Sequence, residues 1–221
     1  MSIWRTAAVA ALSFTLSQAA MADPIIFSQA WDGTSNMLAS QNDVGGSNGA
    51  FATMYDDFSF GSGQVVTDVH WTGGFFNPGT VGSISAFKIA FYADNAGQPG
   101  AQLYAATIAG NANQTSLGSI GGFPMATYAV DLTSEFNAAA NTRYWVSIAA
   151  DMTFPPQWGM ATAGAGTSYQ DFFGTRSAQV FNLAFELSGH AANTVSTPGS
   201  LPLVALAMFG LLAMRRKSTQ V

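Results

Sequence analysis

Two histidines, one adjacent pair of carboxylates and one acid–amide loop are the places in this 221-residue chain where side chains could move protons or hold a cation. The carboxylate pair is Asp56-Asp57. Neighbours on a strand point to opposite faces, so these two do not make the facing carboxylates that acid–base hydrolysis requires. They read instead as strand-end solvation or as hydrogen-bond acceptors for a loop. The loop is Asp94-Asn95-Ala96-Gly97-Gln98-Pro99-Gly100. Asp94, Asn95 and a backbone carbonyl offer calcium some of the oxygens it needs, but the spaced acids of an EF-hand loop are missing. The same residues make a hairpin turn, with Asp94 and Asn95 bonding their own backbone and Gly97 and Gly100 supplying positive φ. The turn is the preferred reading, leaving Asp94 and Asn95 as the metal candidates. His70 and His190 are far apart and lack a third ligand at zinc-like spacing. His70 reads as a strand-surface residue and His190 as part of a linker. Residue types alone leave a Ser-His-Asp triad open, but there is no Gly-x-Ser-x-Gly elbow and no phosphate or dinucleotide loop. Cysteine is absent, so there is no thiolate nucleophile and no disulfide framework. No catalytic residue and no cofactor is assigned, and the chain reads as a non-enzyme.

Four tryptophans, Trp31, Trp71, Trp145 and Trp158, allow a different chemistry. An indole exposed on a β-domain can stack on the apolar face of a sugar ring while a nearby Asp or Asn bonds its hydroxyls. Alternatively the rings fill the core. Trp145 falls on the face opposite Tyr144, Val146 and Ile148, and Trp158 follows Pro155-Pro156. With Trp31 they are the expected glycan contacts, if there are any.

Strands must position these residues. Apolar and polar side chains alternate in Val65–Trp71, Ile84–Tyr92, Arg143–Ile148 and Phe181–Leu187, the period-two pattern of a half-buried strand. Shorter signals lie at 25–30, 55–60, 101–109, 126–132 and 157–163. Glycine, asparagine or proline punctuates the gaps, as at Gly73-Gly74 and Asn77-Pro78-Gly79. Residues 134–141 read as a helical turn or a loop. Eight or nine short strands without an amphipathic helix predict an all-β fold, an antiparallel β-sandwich of jelly-roll type, over residues 23–188. A linker and sorting motif is expected at 189–199.

The two ends have a separate logic. Arg5 precedes the apolar run Ala7–Leu16, and Ala20-Met21-Ala22 places small residues where a signal peptidase would cut before Asp23. Residues 1–22 therefore read as a signal peptide, expected to be helical. Near the C-terminus, uncharged Leu201–Met214 is followed by Arg215-Arg216-Lys217. As a helix it would reach ~21 Å, short of the ~30 Å of a bilayer core. The basic residues would stay cytoplasmic. Such a segment, at 200–214 with a basic tail at 215–221, holds a chain in the membrane only transiently. Setting both ends aside leaves three basic and twelve acidic residues, a formal charge of −9. That balance disfavours nucleic acid and anionic membrane surfaces, and suits neutral glycans or cations.

The C-terminal arrangement resembles the sorting signal of PEP-CTERM proteins, the substrates of the membrane enzyme exosortase. Ser196-Thr197-Pro198-Gly199 precedes the apolar run and Arg215-Arg216-Lys217 follows it. The family's Pro-Glu-Pro triplet is matched only by Pro198. The middle of the chain is similar to sandwich domains carried by other proteins with this tail, through Tyr55-Asp56-Asp57-Phe58, Trp71-Thr72-Gly73-Gly74, Phe91–Gly100 and Tyr144–Ile148. The resemblance implies a bacterial protein exported to the cell surface or extracellular matrix, with signal peptidase and exosortase as processing partners. It also implies a structural or adhesive role in extracellular polysaccharide. A carbohydrate-binding module is the alternative, and a secreted hydrolase rests on fold alone. In a bacterial setting the formal glycosylation sequon Asn113-Gln114-Thr115 carries no weight.

Overall fold

Thirteen strands and no helix make up the described part of the chain, residues 23–192 of a computed structural model. In chain order they are β1 (Ile25–Gln29), β2 (Met37–Ala39), β3 (Gln41–Asp43), β4 (Gly49–Ser59), β5 (Gln64–Phe76), β6 (Ile84–Asp94) and β7 (Pro99–Ala109). They continue as β8 (Thr115–Ile120), β9 (Phe123–Ala138), β10 (Arg143–Met152), β11 (Gln157–Phe172), β12 (Thr175–Leu183) and β13 (Phe185–Ala191). The fold is all-β, a large mixed sheet system that is mostly antiparallel, with β3 and β10 as a parallel pair. The expected signal helix, the C-terminal apolar helix, and the sorting residues Ser196, Thr197, Pro198, Gly199, Arg215, Arg216 and Lys217 lie outside the described residues.

Strand β5 organises one group of strands. It pairs with β9 on one side, and with β13 and then the start of β11 on the other. Strand β1 extends this group beyond β13, and β8 extends it beyond β9. Strand β10 organises the second group, lying between β6 and the β3–β4 pair, with β7 outside β6. Strand β11 belongs to both groups. Its first residues pair with β5, whereas Ser168–Phe172 pair with β4.

Side chains from both groups meet in one core. Phe87 of β6 lies edge-on to Trp71 of β5 at 4.9 Å, to Tyr128 of β9 at 5.2 Å and to Trp158 of β11 at 5.1 Å. Period two sets the partition: Val69, Trp71 and Phe75 are buried in this core, and Asp68, His70 and Thr72 take the other face of β5. On β10 the apolar set Tyr144, Val146, Ile148, Ala150 and Met152 joins the core, as the alternation predicts. Gly73 is required by this packing. A Cβ there would lie 2.5 Å from the Trp158 ring and 2.6 Å from the Gly159 carbonyl oxygen.

Several expectations change. Residues expected to turn or coil at 134–141 continue β9 as far as Ala138. The strand expected to run unbroken through Leu187 divides at Ala184 into β12 and β13, although Leu183, Phe185 and Leu187 all remain buried. Gly189, His190 and Ala191, expected in the linker, are the end of β13 and pair with Val66, Val65 and Gln64. Strands β2, β3 and β8 gave no signal, being short, polar or exposed.

Candidate functional site

Asp56 is not a strand-end residue. It is fully buried at the middle of β4, opposite Val146 and Ser168. Its Oδ1 accepts from the Asp57 amide at 2.8 Å and its Oδ2 from the Leu183 amide. The Gln29 amide nitrogen, turned toward it, donates to Oδ2 at 2.7 Å. Burial outweighs these donors and pushes the carboxyl up to about 8. Asp56 ties β1, β4 and β12 together, and Asp57, on the opposite face, pairs with Arg143 at 3.3 Å.

The Asp94–Gly100 segment is a hairpin turn. Asn95 and Gln98 exchange backbone hydrogen bonds of 2.8 and 3.3 Å, and the positive φ angles fall on Gly97 (+82°) and Ala96 (+54°), not on Gly100 as expected. Both Asp94 oxygens serve the protein: Oδ1 accepts from the Trp145 indole at 2.9 Å and Oδ2 from the Gly97 amide at 3.1 Å. Burial opposes ionisation there, but these donors hold the carboxyl below its ordinary range.

Two of the three expected glycan contacts are misplaced. Trp158 is 0% exposed, with its indole N–H donating to the Tyr128 hydroxyl at 3.0 Å inside the core. Trp145 is 1% exposed. It does lie on the outward face of β10, but the Asp94 turn and the Tyr169 ring, 5.4 Å away, close over it. Neither ring can receive a sugar. Alternation identified the face of Trp145 correctly and could not reveal the cover, which comes from distant segments.

Trp31 differs. It follows β1, is only partly buried and packs against the cluster of Met125, Ala161 and Ala184, and its N–H donates to the Thr34 carbonyl at 2.9 Å. It forms one wall of a cavity of about 310 Å³ on the outward face of β13, β5 and β9. His70, Thr72 and Thr127 supply the floor, with Asn113, Thr115 and Glu186 around them. Register places them: His70 faces Glu186 on β13 and Ala129 on β9, while Thr72 faces Thr127. Past His70 and Asn113, which border both, the groove continues into a cavity of about 720 Å³ lined by Asp23, Thr67, Asp68, Asp131, Glu135 and Ser188.

Asp68 and Asp131 stand directly opposite each other across β5 and β9. Burial, and then the hydrogen bond from one carboxyl to the other, push Asp68 above the usual carboxylate range. Glycosidases hold their two carboxyls ~5 Å or more apart, so a hydrogen-bonded pair has the wrong spacing for that reaction. Near His70, Ser28 donates to Glu186 at 2.7 Å, which leaves that hydroxyl engaged by a carboxylate instead of an imidazole base. His190 lies at the far end of the groove, its Nδ1 4.0 Å from Asp23. Among the described residues no group of three His, Cys, Asp or Glu is arranged to hold a metal, and no helix is long and apolar enough to cross a membrane.

Sequence reasoning missed this groove apart from Trp31 and His70. Asp68 and His70 share a face by alternation, but Asp131, Glu135 and Asn113 join them only through the β5–β9 register. The chain matches no protein-family model, and no curated protein is similar to it.

Proposed function

We propose that this is an exported protein of the cell surface or extracellular matrix, with a structural or adhesive role in extracellular polysaccharide that it contacts through the Trp31 groove. Signal peptidase removes residues 1–22. Exosortase acts near Ser196–Gly199 while Leu201–Met214 and Arg215-Arg216-Lys217 hold the chain transiently in the membrane. The two strand groups pack face to face as a jelly-roll-like β-sandwich, and the domain has no catalytic role. The observation that carries the polysaccharide reading is Trp31, a ring held half-open by its own hydrogen bond beside a polar floor. An apolar ring face against which a pyranose stacks, bordered by hydroxyl, amide and imidazole groups, is what a sugar site needs.

The test is retention of the purified chain on the polysaccharide of its own cell, with Trp31→Ala beside Trp145→Phe. Retention lost only in Trp31→Ala supports the reading; equal retention by both variants removes the groove from it. Fractionation of cells with and without the sorting enzyme tests the address separately. Unchanged processing in its absence overturns the exosortase assignment.

A further inference from the structure

Five turns gather at one end of the domain, and none of them carries a charged side chain. They join β3 to β4 (44–48), β5 to β6 (77–83), β8 to β9 (121–122), β10 to β11 (153–156) and β11 to β12 (173–174). The nearest acids are already matched. Asp43 is buried and accepts from the Phe154 and Asn48 amides and the Asn48 side chain, and Arg176 holds Asp171. Apolar groups take the place of charge. Phe173 is 60% exposed, and Phe172, Val44 and Val81 are exposed as well. The buried Phe51 ring anchors them, 5.4 Å from Phe173 and 6.1 Å from both Phe172 and Phe154. The Val44 amide bonds to the Met152 carbonyl, and Gly82, next to Val81, lies against Met152 and Pro156, so both valines flank the Phe154 side.

Phe173 is held where its backbone is disfavoured. Phe172 pairs with Thr175, so Phe173-Gly174 is a two-residue hairpin turn, with φ of +48° and +79°. Positive φ at both places calls for Asn-Gly or Gly-Gly, and a bulky residue there is strained. The Phe173 amide donates to the Phe51 carbonyl at 2.7 Å, which fixes the tip. Strain kept at an exposed ring points to a side chain selected for what it touches.

We propose that this end is an interface between two copies of the chain, meeting end to end about a twofold axis. A domain of formal charge −9 repels its own copies. A charge-free end lets them approach with their carboxylates turned away. A twofold contact sets the aromatic cluster against itself, and edge-to-face rings pack favourably. A strongly charged partner would find no counter-charge here. The chain's own continuation leaves from the other end: Ala192 bonds to Gly63 before β5 begins, whereas the cluster lies past Phe76 where β5 finishes, about 40 Å along the strand. Pairing therefore turns the two C-terminal sides in opposite directions. At the surface address proposed above, it would bridge two surfaces that carry the protein. This adhesion goes beyond contact with polysaccharide and does not use the Trp31 groove.

Sedimentation of the purified chain over a range of concentrations should show a reversible dimer. Phe173→Asn and Val81→Asp should each weaken it about tenfold or more. Val180→Asp, at an exposed apolar position on β12, and Trp31→Ala should leave it unchanged. Phe173→Asn should melt no lower than the parent, since Asn-Gly suits the turn, which separates lost pairing from lost folding. Added salt should strengthen pairing by screening the two acidic domains from each other. A parent chain that stays monomeric overturns the proposal, as does pairing that survives both end variants, that collapses with salt, or that Val180→Asp or Trp31→Ala abolishes equally. Binding of the parent, but not of Phe173→Asn, to zwitterionic lipid vesicles without pairing in solution assigns the end to a lipid surface and also overturns it. Loss of polysaccharide retention in Trp31→Ala is read separately, so a failure of pairing leaves the groove standing.

Discussion

The outward face built on β5 and β9 and the one built on β4 and β10 carry similar residues and end in opposite states. Both have a tryptophan, and both have carboxylates set along neighbouring strands. On the β4–β10 face every demand is met from within. Arg176 makes a two-pronged bond to Asp171, at 2.7 and 2.8 Å, lies 5.0 Å over the Tyr55 ring, and donates to the Pro99 carbonyl at 3.0 Å. The Asp94 turn closes on Trp145, and Lys88 stands 3.6 Å from Asp151. On the β5–β9 face the carboxylates meet one another and the tryptophan stays half-open. Residue type alone thus does not mark a binding surface. Apolar cover left incomplete does, because a folded chain closes such faces internally wherever it gains stability by doing so.

Substitutions can break this contrast. The largest effect is expected for Trp145→Ala. Removing a buried indole from the closed face should cost about 3–5 kcal/mol, read by denaturant unfolding, without changing the oligosaccharide preference of the folded fraction. Asp56, between the two faces, comes next. Its carboxyl is raised from 3.8 to about 8 in the folded state, so the folded chain holds the proton more tightly. Its contribution is fully present below 3.8 and is lost as the pH rises toward about 8. Melting temperature should fall across that window in the parent chain and fall less in Asp56→Asn. Arg176→Ala on the closed face should cost about 1 kcal/mol, mostly from lost packing over Tyr55, since the ion pair is partly exposed. Trp31→Ala on the open face should cost about 1 kcal/mol or less while removing sugar binding, the reverse of Trp145→Ala. Smallest is Asp68→Asn, expected to raise stability by about 0.5 kcal/mol at neutral pH by relieving Asp131. A fall instead would mean that the carboxylate pair already has a partner in the folded chain.

How much of this could be read from residues alone depended on the range of the interaction. Alternation in Val65–Trp71 and Arg143–Ile148 correctly assigns core and outward faces, because period two is local. The turn at Asp94–Gly100 is equally local. The burial of Trp145 is not: it needs Tyr169 and the Asp94 turn brought in from other strands. Pro155-Pro156 points to a loop around Trp158, whereas Gly73 leaves space for its ring inside the core. The carboxylate end of the groove depends on the pairing of Asp68 with Asp131, residues 63 positions apart. Register of that kind has no signature in a single stretch of sequence.

Strand β13 links the groove to the C-terminal side of the domain. It contributes Glu186 and Ser188 to the groove, and the chain leaves it at Ala192, whose amide donates to Gly63. Were the processed chain attached at the surface through its C-terminal side, tension from a bound polymer would run lengthwise along this strand, between its two flanking neighbours β1 and β5. Lengthwise loading strains the ladder bonds together, where pulling across the strand would open them one after another. The domain's grip on its ligand and its resistance to being torn apart would then reside in the same strand pair.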